Sequence, residues 1–198
     1  MSEASELEPL RAAITSGDPS RSMPALAGLR ELPVEQAVPL LLLGLQQETF
    51  IVRSLSCAGL GVKRNPEGWA ALVRVLEHDP DVNVRAEAAN ALVSHGLDQA
   101  WPLVLAAFRQ DRQWLLRCSV MSAVAEHPQA ASADLLELAG MAVEDLDGTV
   151  RAGGAEILGR LARQGPEAIA IQARQLLVRL QADPDHRVVA AALNGLQA

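Results

Sequence analysis

The side chains in this sequence that could do chemistry are a row of aspartate–arginine pairs, four histidines and two cysteines. Three aspartates each precede an arginine by six residues, which gives the pairs Asp79/Arg85, Asp111/Arg117 and Asp145/Arg151. Arginine can bind a carboxylate through two parallel hydrogen bonds. Because the pattern repeats, whereas a binding site needs to occur only once, we interpret it as a structural ladder between neighbouring repeats. The alternative is that these arginines bind an anion or a propionate group.

His95 and His127 occupy the same position in two successive copies of this pattern, and Lys63 holds that position one copy earlier. Cations at helix C-termini are favoured by the helix dipole, so we interpret the three as helix caps. Metal ligation by the two histidines is the alternative, and it requires side chains that converge across roughly 8–10 Å between helices. Cys57 and Cys118 form no CxxC pair and are interpreted as small buried side chains in a reducing compartment. We recognise no catalytic constellation and predict no resident metal.

The elements that position these residues are sequence repeats. The segment DPDVNVRAEAANALVSHG, residues 79–96, joins an acidic proline turn to an alanine-rich helix and a glycine, and related copies begin near residues 46, 111, 145 and 183. Four arginines recur at intervals of 32, 32 and 34 residues: Arg53, Arg85, Arg117 and Arg151. Periods of this size indicate a solenoid in which each repeat is one supersecondary unit. A second helical pattern between the copies makes each repeat a hairpin of an A helix, a tight turn and a B helix.

The predicted fold is therefore all-α, a right-handed α-α solenoid of six hairpins in a single domain over residues 1–198. The hairpins are expected at about residues 3–31, 34–63, 66–95, 97–127, 129–164 and 166–197. Aspartates should cap the B helices, and these are Asp18, Asp79, Asp111, Asp145 and Asp183. Glycines should adopt left-handed backbone after helix ends, and these are Gly61, Gly96 and Gly165. In α-helical spacing Val84, Ala88, Ala91 and Leu92 should face the core, and leucine at the equivalent Gly154 should overpack it.

The net charge and the amino-acid composition limit the kind of partner, the make-up of the core and the location of the protein. The net charge is −7, which disfavours binding to nucleic-acid phosphates. The chain has three tryptophans, two phenylalanines and no tyrosine, so alanine and leucine must fill the core. The longest charge-free run, residues 36–47, is too short to span a bilayer, and the N-terminus lacks the layout of a signal peptide. We expect a cytoplasmic protein without a membrane span.

Residues of the B helices that the core does not need are the candidates for partner binding. The predicted set is Phe50, Ile51, Leu55, Asn83, Glu87, Asn90, Trp114, Leu115, Ser119 and Glu156. Aromatic anchors carry much of the energy of protein interfaces, although Phe50 and Trp114 could instead pack between repeats. The last B helix is apolar all round from Val188 to Leu193, whereas a terminal repeat usually needs a polar outer face. This pattern predicts a homo- or hetero-dimer through the C-terminal repeat.

The repeats resemble HEAT-like repeats of the type found in phycobilisome lyases. The resemblance rests on the Asp79-Pro80-Asp81 turn, the Val84-Arg85 pair and the small residues that lead to Leu92, and it extends over most of the chain from Gln46 onward. It implies six HEAT-like hairpins whose B helices line a concave wall, in a small cyanobacterial protein. It does not extend to the HEAT-repeat di-iron hydroxylases, which use His-Glu dipeptides, because this sequence has the reverse order in Glu77-His78 and Glu126-His127.

Two functions follow from the resemblance. The first is a non-enzymatic scaffold that presents its concave B-helix face to a protein partner, with a phycobiliprotein in phycobilisome assembly or turnover as one such partner. The alternative is a phycobilin lyase subunit or bilin-binding factor that attaches or removes a linear tetrapyrrole. Under the first function the protein has no cofactor; under the second it binds a bilin.

Overall fold

In the computed structural model, residues 3–197 and the side chains from Leu7 onward are described, and they form α-helices, one 3-10 turn and no β-strand. The helices are α1 Glu3–Ile14, α2 Pro19–Gly28, α3 Val34–Gly44, α4 Phe50–Val62, α5 Pro66–His78, α6 Val82–His95, α7 Leu97–Gln110, α8 Trp114–Glu126, α9 Ser132–Ala142, α10 Gly148–Gln164, α11 Glu167–Leu180 and α12 His186–Leu196. The 3-10 turn Leu29–Glu31 extends α2. The all-α prediction is confirmed, and every predicted hairpin boundary lies within three residues of the observed boundary.

The chain divides into two compact units, Met1–Ala107 and Phe108–Ala198. In the first unit the A helices α1, α3 and α5 pack in chain order, and so do the B helices α2, α4 and α6. In the second unit α9 packs on α11, while the B helices α8, α10 and α12 follow one another. Each unit is therefore a two-layer stack of helices, the packing of an α-solenoid. The right hand of the solenoid and the single domain over residues 1–198 stay predictions.

The core of each unit lies between its A and B layers. In α6 the predicted positions Val84, Ala88, Ala91 and Leu92 are all buried, because apolar side chains at helical spacing share one face. The equivalent positions Gly59 of α4 and Ala123 of α8 are half-buried instead. Among residues 3–197 no helix combines the length and the apolar character needed to cross a bilayer.

The helix caps correct one prediction. The aspartates that accept hydrogen bonds from the first backbone N–H groups of B helices include Asp18, as predicted, but the others are Asp81, Asp147 and Asp185. Each of these three lies two residues after the aspartate that the sequence pattern suggested. The predicted caps Asp79, Asp111, Asp145 and Asp183 instead accept the N–H of residues 81, 113, 147 and 185 and so order the turn before the helix.

The predicted left-handed glycines are also corrected. Gly61 lies inside α4, Gly96 has an extended backbone with φ of 162°, and Gly165 has a φ of −77°. The left-handed glycine of the described residues is Gly17, with a φ of 72°, in the turn between α1 and α2. Gly61 has a different reason to be glycine, since a Cβ there would lie 3.1 Å from the Cα of Ala91 on α6.

Candidate functional site

In the first unit, one arginine contacts the turns of two successive hairpins. Arg53 of α4 donates from Nε to Asp79 Oδ2 at 2.7 Å and from Nη2 to Asp79 Oδ1 at 3.0 Å. Its Nη1 group donates to the carbonyls of Gln47 and Glu48, at 2.9 and 2.6 Å. Arg53 therefore holds the turn of its own hairpin and the turn of the next. Arg85 likewise donates to the carbonyl of Asp79, at 2.8 Å.

The same arrangement occurs twice in the second unit. Arg151 of α10 forms a two-point contact with Asp183, with Nε–Oδ2 at 2.8 Å and Nη2–Oδ1 at 2.9 Å, and donates to the carbonyl of Asp145 at 3.0 Å. Arg117 of α8 donates from Nη2 to Asp145 Oδ1 at 2.9 Å and to the carbonyl of Asp111 at 2.8 Å. Its Nε lies 2.6 Å from Asp145 Oδ2 without the alignment of a hydrogen bond.

These contacts indicate a structural role for the arginines. The side chains of Arg53, Arg117 and Arg151 are 12–14% exposed. Both edges of each group already contact a carboxylate and backbone carbonyls, which leaves little capacity to bind an external anion or propionate. The Arg151 guanidinium holds the pKa of the Asp183 carboxyl below its ordinary value. In sequence terms, each arginine contacts the aspartate of the following copy, 26 to 32 residues away.

A second row of cations joins B helices at their C-terminal ends. Lys63 donates to the carbonyls of Arg30 and Leu32 at 2.7 and 2.6 Å, in the first unit. His95 Nε2 lies 2.9 Å from the carbonyl of Leu60, which can only accept, so this nitrogen carries the proton. In the second unit Arg160 donates to the carbonyl of Ala125 at 2.6 Å. Each cation thus satisfies carbonyls left over at the end of the preceding B helix.

We expect Lys63→Met to lower the free energy of unfolding by about 1–2 kcal/mol, because two carbonyls lose a charged donor. Urea denaturation followed by far-UV circular dichroism measures this change. Arg64→Met is the matched control, since Arg64 is the exposed neighbour of Lys63. Equal stability of the Lys63 variant and the control would contradict a capping role for Lys63.

The histidines and cysteines show no arrangement for chemistry. His127 Nδ1 accepts the backbone N–H of Gln129 at 3.3 Å, while His95 contacts Leu60 and lies 5.6 Å from the Trp69 ring, centroid to centroid. No group of three or more His, Cys, Asp or Glu residues in the described part of the chain is placed to hold a metal ion. Burial raises the pKa of the buried Cys57 thiol and of the half-buried Cys118 thiol, which makes both poor nucleophiles at neutral pH.

The predicted partner-binding residues lie on different parts of the two units. In the first unit Phe50 and Asn83 are exposed and Ile51 and Leu55 are half-buried, while Glu87 and Asn90 line one groove between α4 and α6. In the second unit Trp114 and Glu156 are exposed and Leu115 and Ser119 are half-buried. Phe50 and Trp114 are each 44% exposed, so neither is packed fully into a core.

One opening of the second unit, here named the turn groove, has a volume of about 1250 Å³. It is open to solvent and is lined by the end of α7, the turns before α8 and α10, and the A helices α9 and α11. Its apolar residues are Phe108, Trp114, Leu136, Met141, Leu146 and Leu176. The sequence analysis placed Trp114 at the edge of a B-helix wall, but the structure places it in this groove, whose helical walls are mainly A helices.

Leu146 is the most exposed of the apolar residues of the turn groove that were not predicted from the sequence. It is 100% exposed at the tip of the turn between α9 and α10. Two other copies of the Asp-x-Asp turn have proline there, Pro80 and Pro184, so an apolar leucine between two aspartates was the available signal. The Leu146 carbonyl accepts from Arg151 Nη1 at 3.1 Å, which fixes the turn that carries the side chain.

Smaller grooves lie between successive B helices. The α8–α10 groove of the second unit, about 530 Å³, is lined by Cys118, Met121, Gly153, Glu156 and Arg160, among others. The α4–α6 groove of the first unit, also about 530 Å³, is lined by Val34, Ala58, Gly61, Val62, Arg64, Glu87, Asn90, Ala91 and Ser94. Of the predicted partner-binding residues, three line these B-helix grooves: Glu87, Asn90 and Glu156.

The last helix, α12, buries Val188 and Ala192 against its neighbours and leaves Leu193 44% exposed. Val189 occupies the position that carries arginine in the preceding copies, so α12 has no guanidinium at the ladder position. The dimer through this repeat stays a prediction.

Two layers of helical hairpins tied by repeated Arg–Asp contacts define an α-helical repeat protein. A family model of HEAT repeats matches residues 38–125, which identifies the repeats of this segment as HEAT-like. HEAT repeats commonly act as scaffolds for protein interaction. Among curated proteins none matches the sequence.

Proposed function

We propose that this protein is a non-enzymatic scaffold that binds a protein partner in the turn groove of its second unit. The observation that carries the proposal is the pair of apolar side chains on this groove, Trp114 at 44% exposure and Leu146 at 100% exposure. Exposed leucines are common one at a time, but an exposed tryptophan and a fully exposed leucine on one groove are typical of an interaction surface.

The groove has the composition of a protein interface. Its apolar side chains lie beside ion pairs, including Arg109–Glu137 at 2.9 Å and Arg179–Glu144 at 3.1 Å, of which Arg109, Glu137 and Glu144 line the groove. Protein interfaces commonly combine apolar contact residues with charged residues around them. Small-molecule sites, in contrast, enclose most of the ligand surface, and the turn groove is open.

The turn that carries Leu146 is ordered before any partner binds. Asp145 accepts hydrogen bonds from Arg117 and from the backbone N–H of Asp147, at 2.9 and 2.8 Å, and Arg151 binds the carbonyls of Asp145 and Leu146. A rigid turn loses little conformational entropy on binding, which favours affinity. The ladder therefore supports the proposed site in addition to joining the hairpins.

The first partner to test is a phycobiliprotein, because the repeats resemble those of phycobilisome lyases. The α8–α10 groove on the B-helix face is our second candidate surface for the same partner. The alternative of a bilin-binding lyase subunit finds no specific support among the described residues.

We expect Trp114→Ala to weaken binding of a partner captured with the wild-type protein by about 30-fold, which corresponds to about 2 kcal/mol for an interface anchor. Leu146→Asp should weaken it by at least as much, since it replaces an exposed apolar side chain of the groove with a charge. Isothermal titration calorimetry with the purified partner measures both changes.

The matched control is Val178→Ala, which truncates an apolar residue of α11 that is 57% exposed and does not line the turn groove. Thermal unfolding of all three variants separates a binding defect from a folding defect. A partner that binds the Trp114 and Leu146 variants as tightly as the control would refute the proposed site.

A further inference from the structure

Glu87 of α6 is a half-buried carboxylate in the first unit that the ladder does not use. It lines the α4–α6 groove together with Ala58, Val62 and Asn90. Burial raises the pKa of its carboxyl, and a hydrogen bond with the Asn90 side chain lowers it in part; no cationic side chain of the described residues contributes. The ladder carboxylates Asp79, Asp145 and Asp183, in contrast, are each paired with an arginine.

A carboxylate that is partly removed from water without a compensating cation destabilises the protein that carries it. Such a cost is common at binding sites, where the ligand supplies the missing charge. The four other residues at the equivalent position of B helices are uncharged: Leu55, Ser119, Gly153 and Ala191. Glu87 therefore departs from the repeat pattern, and packing of the core does not require a glutamate at this position.

We propose that the α4–α6 groove binds an arginine or lysine side chain of a protein partner, with Glu87 as its counter-charge. The net charge of −7 favours the approach of a cationic segment. The groove also offers apolar surface to such a side chain, because Ala58 and Val62 can cover an aliphatic stem while the charged head reaches the carboxylate. Val62 is 64% exposed and so is accessible to a partner.

The polar groups around Glu87 favour a donor-rich head group. The Glu87 carboxylate accepts a hydrogen bond from the Asn90 side chain and has further lone pairs to offer, and arginine is the side chain with the most N–H donors. Ser94 adds no competing donor, since its hydroxyl is bonded to the Asn90 carbonyl at 3.0 Å. Arg64 also lines the groove and can pair with an acidic residue of the same partner segment. The site thus fits a short peptide segment that carries arginine beside apolar residues.

The test is a titration of the ¹⁵N-labelled full-length protein with the tripeptide acetyl-Leu-Arg-Leu-amide, followed by backbone amide shifts. We expect saturable shifts at residues of the α4–α6 groove. The same peptide with citrulline in place of arginine has nearly the same shape without the charge and should bind about tenfold more weakly. Binding of the arginine peptide should also weaken as the salt concentration rises.

Glu87→Gln should weaken binding of the arginine peptide about tenfold, to the level of the citrulline peptide. The matched control is Glu77→Gln, which neutralises an exposed glutamate of α5 in the same unit. The absence of saturable shifts at the groove would overturn the proposal, and so would equal binding of the arginine and citrulline peptides by the wild-type protein. This last comparison needs no variant, so it decides the proposal even if Glu87→Gln changes the fold. The Trp114 and Leu146 variants concern the other unit and should leave this binding unchanged.

Discussion

Gly159→Val is expected to lower the free energy of unfolding by about 3 kcal/mol, the upper end of the usual cost of overpacking. Gly159 of α10 faces Gly195 of α12, and a Cβ on Gly159 would lie 2.9 Å from the Cα of Gly195. The neighbouring atom belongs to the backbone, so no side-chain rotation can relieve the contact. The two B helices would have to move apart, and the packing of α12 on α10 would be lost around the site.

Guanidinium denaturation at neutral pH measures this effect. The matched control is Gly140→Ala in α9, where a Cβ would meet nothing within 4 Å. Alanine is the better helix former, so the control should gain about 0.5–1 kcal/mol. A Gly159→Val protein that unfolds at the wild-type midpoint would show that α10 and α12 separate at little cost.

This contact shows what the repeat pattern could and could not predict. Gly154 was predicted to be a close-packed position, and a Cβ there would indeed lie 2.9 Å from the Cβ of Ala142. Gly159 received no special interpretation, because glycine near the end of a B helix is also expected as a helix terminator. Only the packing distinguishes a glycine that ends a helix from one that admits a neighbouring backbone.

The helix boundaries were predictable because proline, aspartate or glycine stands near most of the turns. The roles of the aspartates were not, since the turn Asp145-Leu146-Asp147 offers two carboxylates only two residues apart. Asp147 caps α10, whereas Asp145 binds Arg117 from the preceding hairpin. The partner of Asp145 lies 28 residues earlier in the chain, so short-range helix-capping rules could not assign it.

The candidate site was less predictable than the fold. Trp114 was singled out, but a residue at the start of a B helix can face either the B-helix groove or the turn groove, and the turn geometry decides which. For Glu87, the sequence predicted a position on the exposed side of a B helix. That its carboxylate has no cationic partner can be seen only from the described residues that surround it in the structure. Exposed surface is not constrained by the repeat period, and for this reason it carries less sequence signal than the core.

Arg151→Met is expected to lower the free energy of unfolding by about 3–5 kcal/mol at pH 7, the usual cost of removing one partner of a buried ion pair. The Arg151 and Asp183 side chains are only 14% and 7% exposed, and the contact uses both oxygens of the carboxylate. Without Arg151 the Asp183 carboxylate keeps the N–H of Asp185 at 2.8 Å but has no cation. The carbonyls of Asp145 and Leu146 lose their donor as well.

The pH dependence of this loss identifies its electrostatic part. Because Arg151 lowers the pKa of Asp183 in the folded protein, the stabilisation is present above the unfolded pKa of about 4 and is lost as the pH falls through the folded value. The difference in stability between the wild type and Arg151→Met should therefore shrink below about pH 4. Urea denaturation at a series of pH values between 7 and 3 measures it.

Two further variants separate the ion pair from its surroundings. Arg179→Met removes the exposed pair with Glu144, whose side chains are 64% and 71% exposed, and should cost less than about 1 kcal/mol. The double variant Arg151→Met/Asp183→Leu removes both buried charges and should recover part of the loss, since the remaining carboxylate is then gone. If Arg151→Met were no more harmful than Arg179→Met, the Arg–Asp contacts would not be what joins successive hairpins, and apolar packing of the B helices would have to hold the stack alone.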